Sequence, residues 1–376
     1  MRRTVASVTA IPRDDWDRLA NPPGQEFNPL VSHDFFRALE QSGSATARTG
    51  WAGRHIVETE GSHIVGVAPC FLKSHSQGEY VFDHGWADAF HRAGGRYYPK
   101  LQTAVPFTPV TGERLFAATR QSLAQGLIDQ CKEDRASSIH ITFLPERDWQ
   151  ALGDGPWLRR TDIQFHWHNP GYDGFDDFLK SLSAQKRKNI RKERGVVQSA
   201  GIAHECLTGA DIQEKHWDAF YKFYMDTGSR KWGQPYLNRA FFSLIGESLS
   251  EHILLVIAMR AGRMVAGALN FIGSAALYGR NWGALEHHPC LHFETCYYQA
   301  MEFAIARKLA RVEAGAQGGH KLARGYLPQK TWSLHYLAHP GLSRAVAQYL
   351  EAEREGVDQE SAALAAHSPF RQEQEF

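Results

Sequence analysis

The sequence predicts a mixed α/β chain built from two similar domains in tandem, and three observations carry that expectation. Short β-branched runs alternate with amphipathic stretches of helical period, an order that a mixed sheet with flanking helices accommodates more readily than a barrel or a bundle. A glycine-marked pattern, Ile56-Val-x-x-x-Gly61-x-x-Ile64-x-Gly66-Val67, returns as Ile257-Ala-x-x-x-Gly262-x-x-Val265-x-Gly267-Ala268 at a constant offset of 201 residues. A second echo follows in the same order, Gln164-Phe-His-Trp-His-Asn-Pro-Gly171 against Ser333-Leu-His-Tyr-Leu-Ala-His-Pro-Gly341. The expected domains are residues 1–170 and 171–350, with a charged tail over 351–376.

In the first half, residues 14–20 and 32–41 read as short helices, the second with Ser32 as N-cap and Phe35, Phe36 and Leu39 as its apolar stripe. Two strands joined at Gly61 follow over residues 55–68, and 78–82 suggest another. Residues 87–112 carry Gly94, Gly95, Pro99, Pro106, Pro109 and Gly112 among aromatic and basic residues, the composition of a binding loop. A helix over 115–133 then leads into an apolar strand over 139–144.

The second half opens with a helix over 172–182, with Phe175, Phe178, Leu179 and Leu182 at helical spacing, running on into the basic stretch 186–194 and closing at Gly201. Next come a helical region over 212–223, a loop over 228–236, a helix over 237–250 and a strand pair over 253–272. A strand over 275–282, a helix over 293–308 and a strand over 310–314 complete the domain, and the residues from 351 onward suit a helix.

Composition excludes several classes. Lys and Arg number 42 against 41 Asp and Glu, a net charge of +1, so nucleic acid is not held by bulk charge alone. With 43% hydrophobic and 12% aromatic residues, the chain has apolar surface enough to offset the entropy of ordering. No run approaches the roughly 18 apolar residues of a membrane helix. Asp14, Asp15 and Asp17 stand where a signal peptide would need an apolar stretch, and the five cysteines are scattered without a CxxC pair. A cytoplasmic protein without disulfides is expected.

Several stretches together resemble a known family. They are Val265-Ala-Gly-Ala-Leu-Asn-Phe-Ile272, Leu277-Tyr-Gly-Arg-Asn-Trp-Gly283, Leu291-His-Phe-Glu-Thr-Cys-Tyr-Tyr-Gln-Ala300 and Val312-Glu-Ala-Gly-Ala-Gln317. Gly94-Gly-Arg-Tyr-Tyr-Pro-Lys100, Lys186-Arg-Lys-Asn-Ile-Arg-Lys-Glu193, Thr227-Gly-Ser-Arg-Lys-Trp-Gly233 and His320-Lys-Leu-Ala-Arg-Gly-Tyr326 extend the likeness over nearly the whole chain. It resembles the FemAB-like N-acyltransferases, relatives of the GNAT acyltransferases. The resemblance implies two tandem GNAT-like domains, transfer of an acyl or aminoacyl group to an amine, and no permanently bound cofactor. It implies acyl-CoA or aminoacyl-tRNA as co-substrate, the latter being the donor of the peptidoglycan branch. Between Trp282 and Phe293 the chain lacks the glycine-rich pyrophosphate loop of typical GNAT enzymes, and Pro289 removes a backbone donor there.

Amide formation by direct attack needs an uncharged amine, stabilisation of the tetrahedral oxyanion and a proton for the leaving group. Lys321 and Arg324, just after the strand over 310–314 and its glycine-rich turn, suit the oxyanion or a phosphate; ordinary surface cations would look the same. Glu313, interrupting an apolar strand, is a candidate base, and Tyr278 and Tyr326 are candidate proton donors or simply core tyrosines. Glu294 is placed with the acceptor site, although an acid in the first turn of a helix also suits the helix dipole.

The donor's anionic portion is assigned to Lys186, Arg187, Lys188 and Arg191 on the basic helix, with Arg230, Lys231, Arg280 and Gln317; a solvated basic face is the plainer alternative. Asp83, His84, Tyr98 and Lys100 are assigned to the acceptor, a small-molecule or peptide amine bound in a groove between or beside the domains. His287, His288, Cys290, His292 and Cys296 have no closed-site spacing, so no metal is expected. The competing class is a non-catalytic module that binds RNA or a cell-wall precursor on an acyltransferase fold.

Overall fold

The computed structural model describes residues 1–231, 235–315 and 318–371. They form two compact units, the first made of Met1–Gln25, Leu30–Ile163 and Lys330–Glu360, the second of Glu26–Pro29, Gln164–Gln329 and Ser361–Phe376. The halves read from the sequence are continuous, whereas these units exchange segments: Lys330–Glu360, late in the chain, packs with the first.

The first unit opens with the strand Arg2–Val5, the helices Arg13–Ala20 and His33–Gln41, and the antiparallel strands His55–Glu60 and His63–Ala68. Ser32 caps the second helix, its hydroxyl accepting the Phe35 N–H at 3.4 Å. With Phe116–Ala117 these strands make a four-stranded sheet. The helix Arg120–Glu133 buries Leu123, Leu127 and Ile128 against Ile56, Ile139 and Ile141, joining that sheet to the strand Ser138–Leu144. Ser138–Leu144 pairs parallel with Lys100–Thr103 and antiparallel with Trp332–Leu337.

The second unit has the same order of elements. The strand Ile202–Thr208 is followed by the helices Glu214–Lys231 and Arg239–Ser248, then by the antiparallel strands Ile253–Arg260 and Arg263–Ile272. The strand Ala276–Ala284, a helical stretch over 291–306 and the strand Arg311–Glu313 follow, and Arg311–Glu313 pairs antiparallel with His166–His168. Its core gathers Trp167, Phe178, Leu254, Leu277, Met301 and Tyr326. The fold is thus a mixed α/β fold whose two units open with the same order of elements. Among the described residues no helix is long and apolar enough to cross a membrane.

The two hairpins match in register as well as in order. Val57 faces Val67 and a bulge follows Glu58; Ile257 faces Gly267 and a bulge follows Ala258. The structural offset is therefore 200 residues, one fewer than the glycines suggest. In the first turn only Gly61 has positive φ, whereas in the second both Ala261 and Gly262 do. The glycine has moved from the first to the second central position of a two-residue turn, between the two backbone types that suit hairpin twist.

Several sequence expectations need correction. No strand forms over 78–82. The region read as a loop over 87–112 holds most of the helix His84–Arg92, anchored by buried Trp86 and followed by Gly94 at φ +81°, and the strand Lys100–Thr103; its glycines and prolines bound elements rather than dissolve them. The helix expected from 115 starts at Arg120, because Phe116 and Ala117 pair with Val67 and Gly66. The single helix expected from 172 is two, Phe175–Ser181 and Ala184–Ser199, since Leu182 is extended and bridges to Phe370. Helix Glu214–Lys231 runs into the expected loop over 228–236, of which 232–234 lie outside the described residues. The expected tail is the end of one long helix, Pro340–Ala366.

Candidate active site

In the second unit two parallel strands begin together and then part. Ala276, Leu277 and Tyr278 pair with Arg311, Val312 and Glu313, and the pairing ends there among the described residues while the first strand continues to Ala284. Glu313 also faces His166 across the neighbouring antiparallel pair. Tyr278, Glu313 and His166 thus stand in one row across three strands at the end where the sheet opens.

Two helical segments border this row. The stretch over 291–306 starts after Cys290, whose φ is +64°, and contains a wide turn over Glu294–Tyr298 in which the Gln299 N–H donates to the Glu294 carbonyl five residues back. Such π-turns are rare and recur at functional sites. The short helix Gly319–Arg324 lies between Gly318 at φ +120° and Gly325 at φ +93°; a Cβ at Gly325 would come within 3.0 Å of the Phe178 ring.

Lys321 is 2% exposed, and its Nζ donates to the Gly315 carbonyl at 2.8 Å. Burial pulls its ammonium down to about 8, opposed by the thiol of Cys296. Arg324 lies over the Phe293 ring at 3.4 Å and already holds a partner: Nε and Nη2 donate to the Glu193 carboxylate at 3.1 and 2.6 Å. Nη1 donates to the His320 carbonyl at 2.8 Å. The Tyr298 hydroxyl donates to the same Glu193 carboxylate.

Glu313 is buried, with Oε1 accepting from Arg311 Nε at 2.9 Å and Oε2 without a hydrogen bond among the described residues, 3.9 Å from His166 Nε2. Tyr278 is buried beside it; burial, then the Glu313 charge, hold its hydroxyl well above the ordinary value. Tyr326 is buried against Tyr297, its ring 5.3 Å away, and its hydroxyl has no hydrogen-bond partner among the described residues. Native proteins leave few such buried atoms unpaired.

The remaining candidates divide. Glu294 accepts from Arg194 Nε and Nη2 at 3.1 and 2.9 Å and from Gln299 at 2.8 Å, so it ties two helices together. Lys186 and Arg187 are half-buried on the helix Ala184–Ser199, Lys188 is exposed, and Arg191 lies 3.6 Å from Asp176. Arg230 pairs with Asp226 and donates to the Ala284 carbonyl at 3.0 Å. Arg280 is half-buried, two residues beyond Tyr278 on its strand. Gln317 and the Lys231 side chain lie outside the described residues.

Asp83, His84, Tyr98 and Lys100 belong to the first unit. Lys100 is fully buried, donating to Glu79 at 2.7 Å, to Asp83 at 2.5 Å and to Ser76 at 2.8 Å. Burial works against ionised Asp83, but Lys100 and then His140 outweigh it and hold that carboxyl well below the usual range. Tyr98 bonds Ser76 at 2.7 Å, and His84 is exposed. Among the described residues no group of three His, Cys, Asp or Glu is arranged to hold a metal ion. Sequence reasoning passed over His166, Glu193 and His320, whose ring meets the Tyr297 hydroxyl at 2.9 Å. For His166 the one available signal was its place in the repeated Gln164–Gly171 stretch.

A family profile described as peptidoglycan biosynthesis/recognition, FemAB-like, matches residues 7–372. The fold is shared with FemX (TM-score 0.56, 11% identity, 92% of this chain and 100% of that one). It is shared too with L-PGS from Bacillus licheniformis (TM-score 0.53, 8% identity, 88% and 99%). A conserved protein of unknown function from Bacteroides thetaiotaomicron is also similar (TM-score 0.51, 11% identity, 89% and 99%). No curated protein sequence matches the chain. The chain belongs to the FemAB-like family, and is with it an acyl- or aminoacyltransferase by class.

Proposed function

We propose that the second unit forms an amide at the end of its parting strands. An uncharged amine attacks the carbonyl of an activated acyl ester or thioester, Lys321 stabilises the oxyanion, and the row containing Glu313 takes the amine proton. Lys321 or Tyr326 returns a proton to the departing oxygen or sulfur, and no covalent enzyme intermediate is needed. The observation that carries this reading is the buried Lys321 ammonium, held by the Gly315 carbonyl just beyond a strand whose last residue, Glu313, keeps a carboxylate oxygen without a hydrogen bond among the described residues.

For the donor we favour aminoacyl-tRNA over acyl-CoA. The link into the helical stretch over 291–306 has Pro289 and a left-handed Cys290 where a glycine-rich loop would present N–H groups to a pyrophosphate. The cations Lys186, Arg187, Lys188 and Lys192 have no ion-pair partner among the described residues and suit a phosphate backbone. The acceptor is a small-molecule or peptide amine; Asp83 and Lys100, first read as its contacts, are buried in the first unit and hold each other instead. Five free cysteines fit a reducing, cytoplasmic setting.

Those unpaired cations also favour a second reading, a module that binds RNA or a cell-wall precursor without transfer. Lys321→Ala separates the two. An enzyme loses turnover of an aminoacyl-tRNA or acyl-CoA donor while its far-UV spectrum is unchanged; a binding module shows no transfer in the wild type.

A further inference from the structure

The opening of the sheet holds a second ionisable group beyond those already given a role. His166 is buried on the strand Leu158–His168, facing Glu313 across the antiparallel pair, with Tyr278 next in the same row. Its Nε2 lies 3.9 Å from Glu313 Oε2 and 3.5 Å from Gln164 Oε1. Its Nδ1 makes no hydrogen bond among the described residues. Glu313 is fixed from its other side by Arg311, which is itself tied to Glu26 at 2.8 Å. A carboxylate held in place by a guanidinium is a well-oriented partner for an imidazolium.

Resting on the proposed function, we infer that His166 is the base of the transfer reaction and that Glu313 is a positioning residue that stabilises its protonated ring. With the Nε2 proton facing Gln164 Oε1 and the Glu313 carboxylate just beyond it, Nδ1 is the acceptor. As the C–N bond forms, the amine proton passes to Nδ1, and the positive charge then sits against Glu313 Oε2. The carbon–oxygen or carbon–sulfur bond breaks with its electron pair on the leaving group, which takes a proton from the Lys321 ammonium. Release of the His166 proton to solvent and uptake of one by Lys321 restore the site.

The charged and titratable groups around His166 are Glu313, Arg311, His168 and Lys321, with Tyr278 beyond Glu313 in the same row. Burial lowers its pKa from 6.5, Glu313 opposes that shift, and Arg311, His168 and Lys321 add to it. The ring is therefore neutral at physiological pH, as a base must be.

The test uses the full chain, a mixed aminoacyl-tRNA pool or acetyl-CoA as donor, and a lysine-containing peptide as amine. His166→Gln is expected to lower kcat at least about 100-fold with the donor KM unchanged, and to remove the acidic limb of the pH–rate profile. Glu313→Gln is expected to move that limb to lower pH. Undiminished kcat in His166→Gln with an active wild type overturns this assignment alone; a wild type that transfers from neither donor overturns the proposed function and the assignment with it. Should His166→Gln fold poorly, NMR titration of the wild-type ring decides: a midpoint below 6.5 that drops further in Glu313→Gln supports the dyad, and one indifferent to Glu313→Gln overturns it.

Discussion

Replacing Lys321 with methionine is expected to make the protein more stable while destroying its chemistry. The ammonium is enclosed at 2% exposure with one hydrogen bond, to the Gly315 carbonyl, and no carboxylate within ion-pair distance among the described residues. Lowering a lysine from 10.5 to about 8 corresponds to about 3 kcal/mol of unfavourable charge burial at neutral pH. Methionine fills much the same volume without the charge, and leaves the Gly315 carbonyl without its donor at a cost of about 1 kcal/mol. The net expectation is about 2 kcal/mol of added stability at pH 7. A lysine with a depressed folded pKa destabilises wherever it is charged in both states, below about 8, and ceases to do so as pH climbs towards 10.5. The wild type should therefore gain on the variant between pH 8 and pH 9.5 by about 2 kcal/mol. Urea unfolding followed by tryptophan fluorescence, at both pH values, reads this directly. A Lys321→Met variant less stable than the wild type at pH 7, or two pH–stability curves that run parallel, would refute the argument.

Other perturbations act elsewhere in the molecule. Arg194→Met leaves Glu294 buried without its guanidinium and should cost about 3 kcal/mol by urea unfolding, with part recovered in the double variant with Glu294→Gln. Lys100→Met strands Glu79 and Asp83 in the first unit and should cost about 3 to 5 kcal/mol by the same measurement. At Gly283 an added Cβ would fall 2.2 Å from the Phe223 backbone, so Gly283→Ala should cost at least about 2 kcal/mol, while Gly174→Ala, with open space around it, should shift the midpoint little. Changing Lys186, Lys188 and Lys192 to glutamine should leave the midpoint unchanged but weaken tRNA binding and flatten its salt dependence, read by filter binding at several salt concentrations.

Local features were legible in the sequence, and long-range pairings were not. Ser32 announces its helix because an N-cap acts over three residues, and the β-branched runs around Gly61 and Gly262 announce hairpins because strand alternation and turn chemistry are equally short-ranged. Arg324 and Glu294 looked available for ligands because the partners that occupy them stand 131 and 100 residues away. The helix His84–Arg92 hid among glycines and prolines that in fact terminate it. Glu313 was visible as an acid in an apolar strand, but its burial and its facing His166 depend on a strand pairing between residues far apart in the chain.

The wide turn over Glu294–Tyr298 also sets the phase of everything that follows it. One residue more than a regular helix needs is taken up there, and the helix then continues with Met301, Ala304 and Ile305 facing the core. Deleting any single residue between 294 and 298 would let the helix close into regular geometry at no cost in backbone hydrogen bonds. Side chains on either side would keep the faces they have, whereas the same deletion in a regular turn would rotate everything beyond it by about 100°. The wide turn is therefore a buffer: the helix carries one more residue beside the site without turning Met301, Ala304 and Ile305 out of the core.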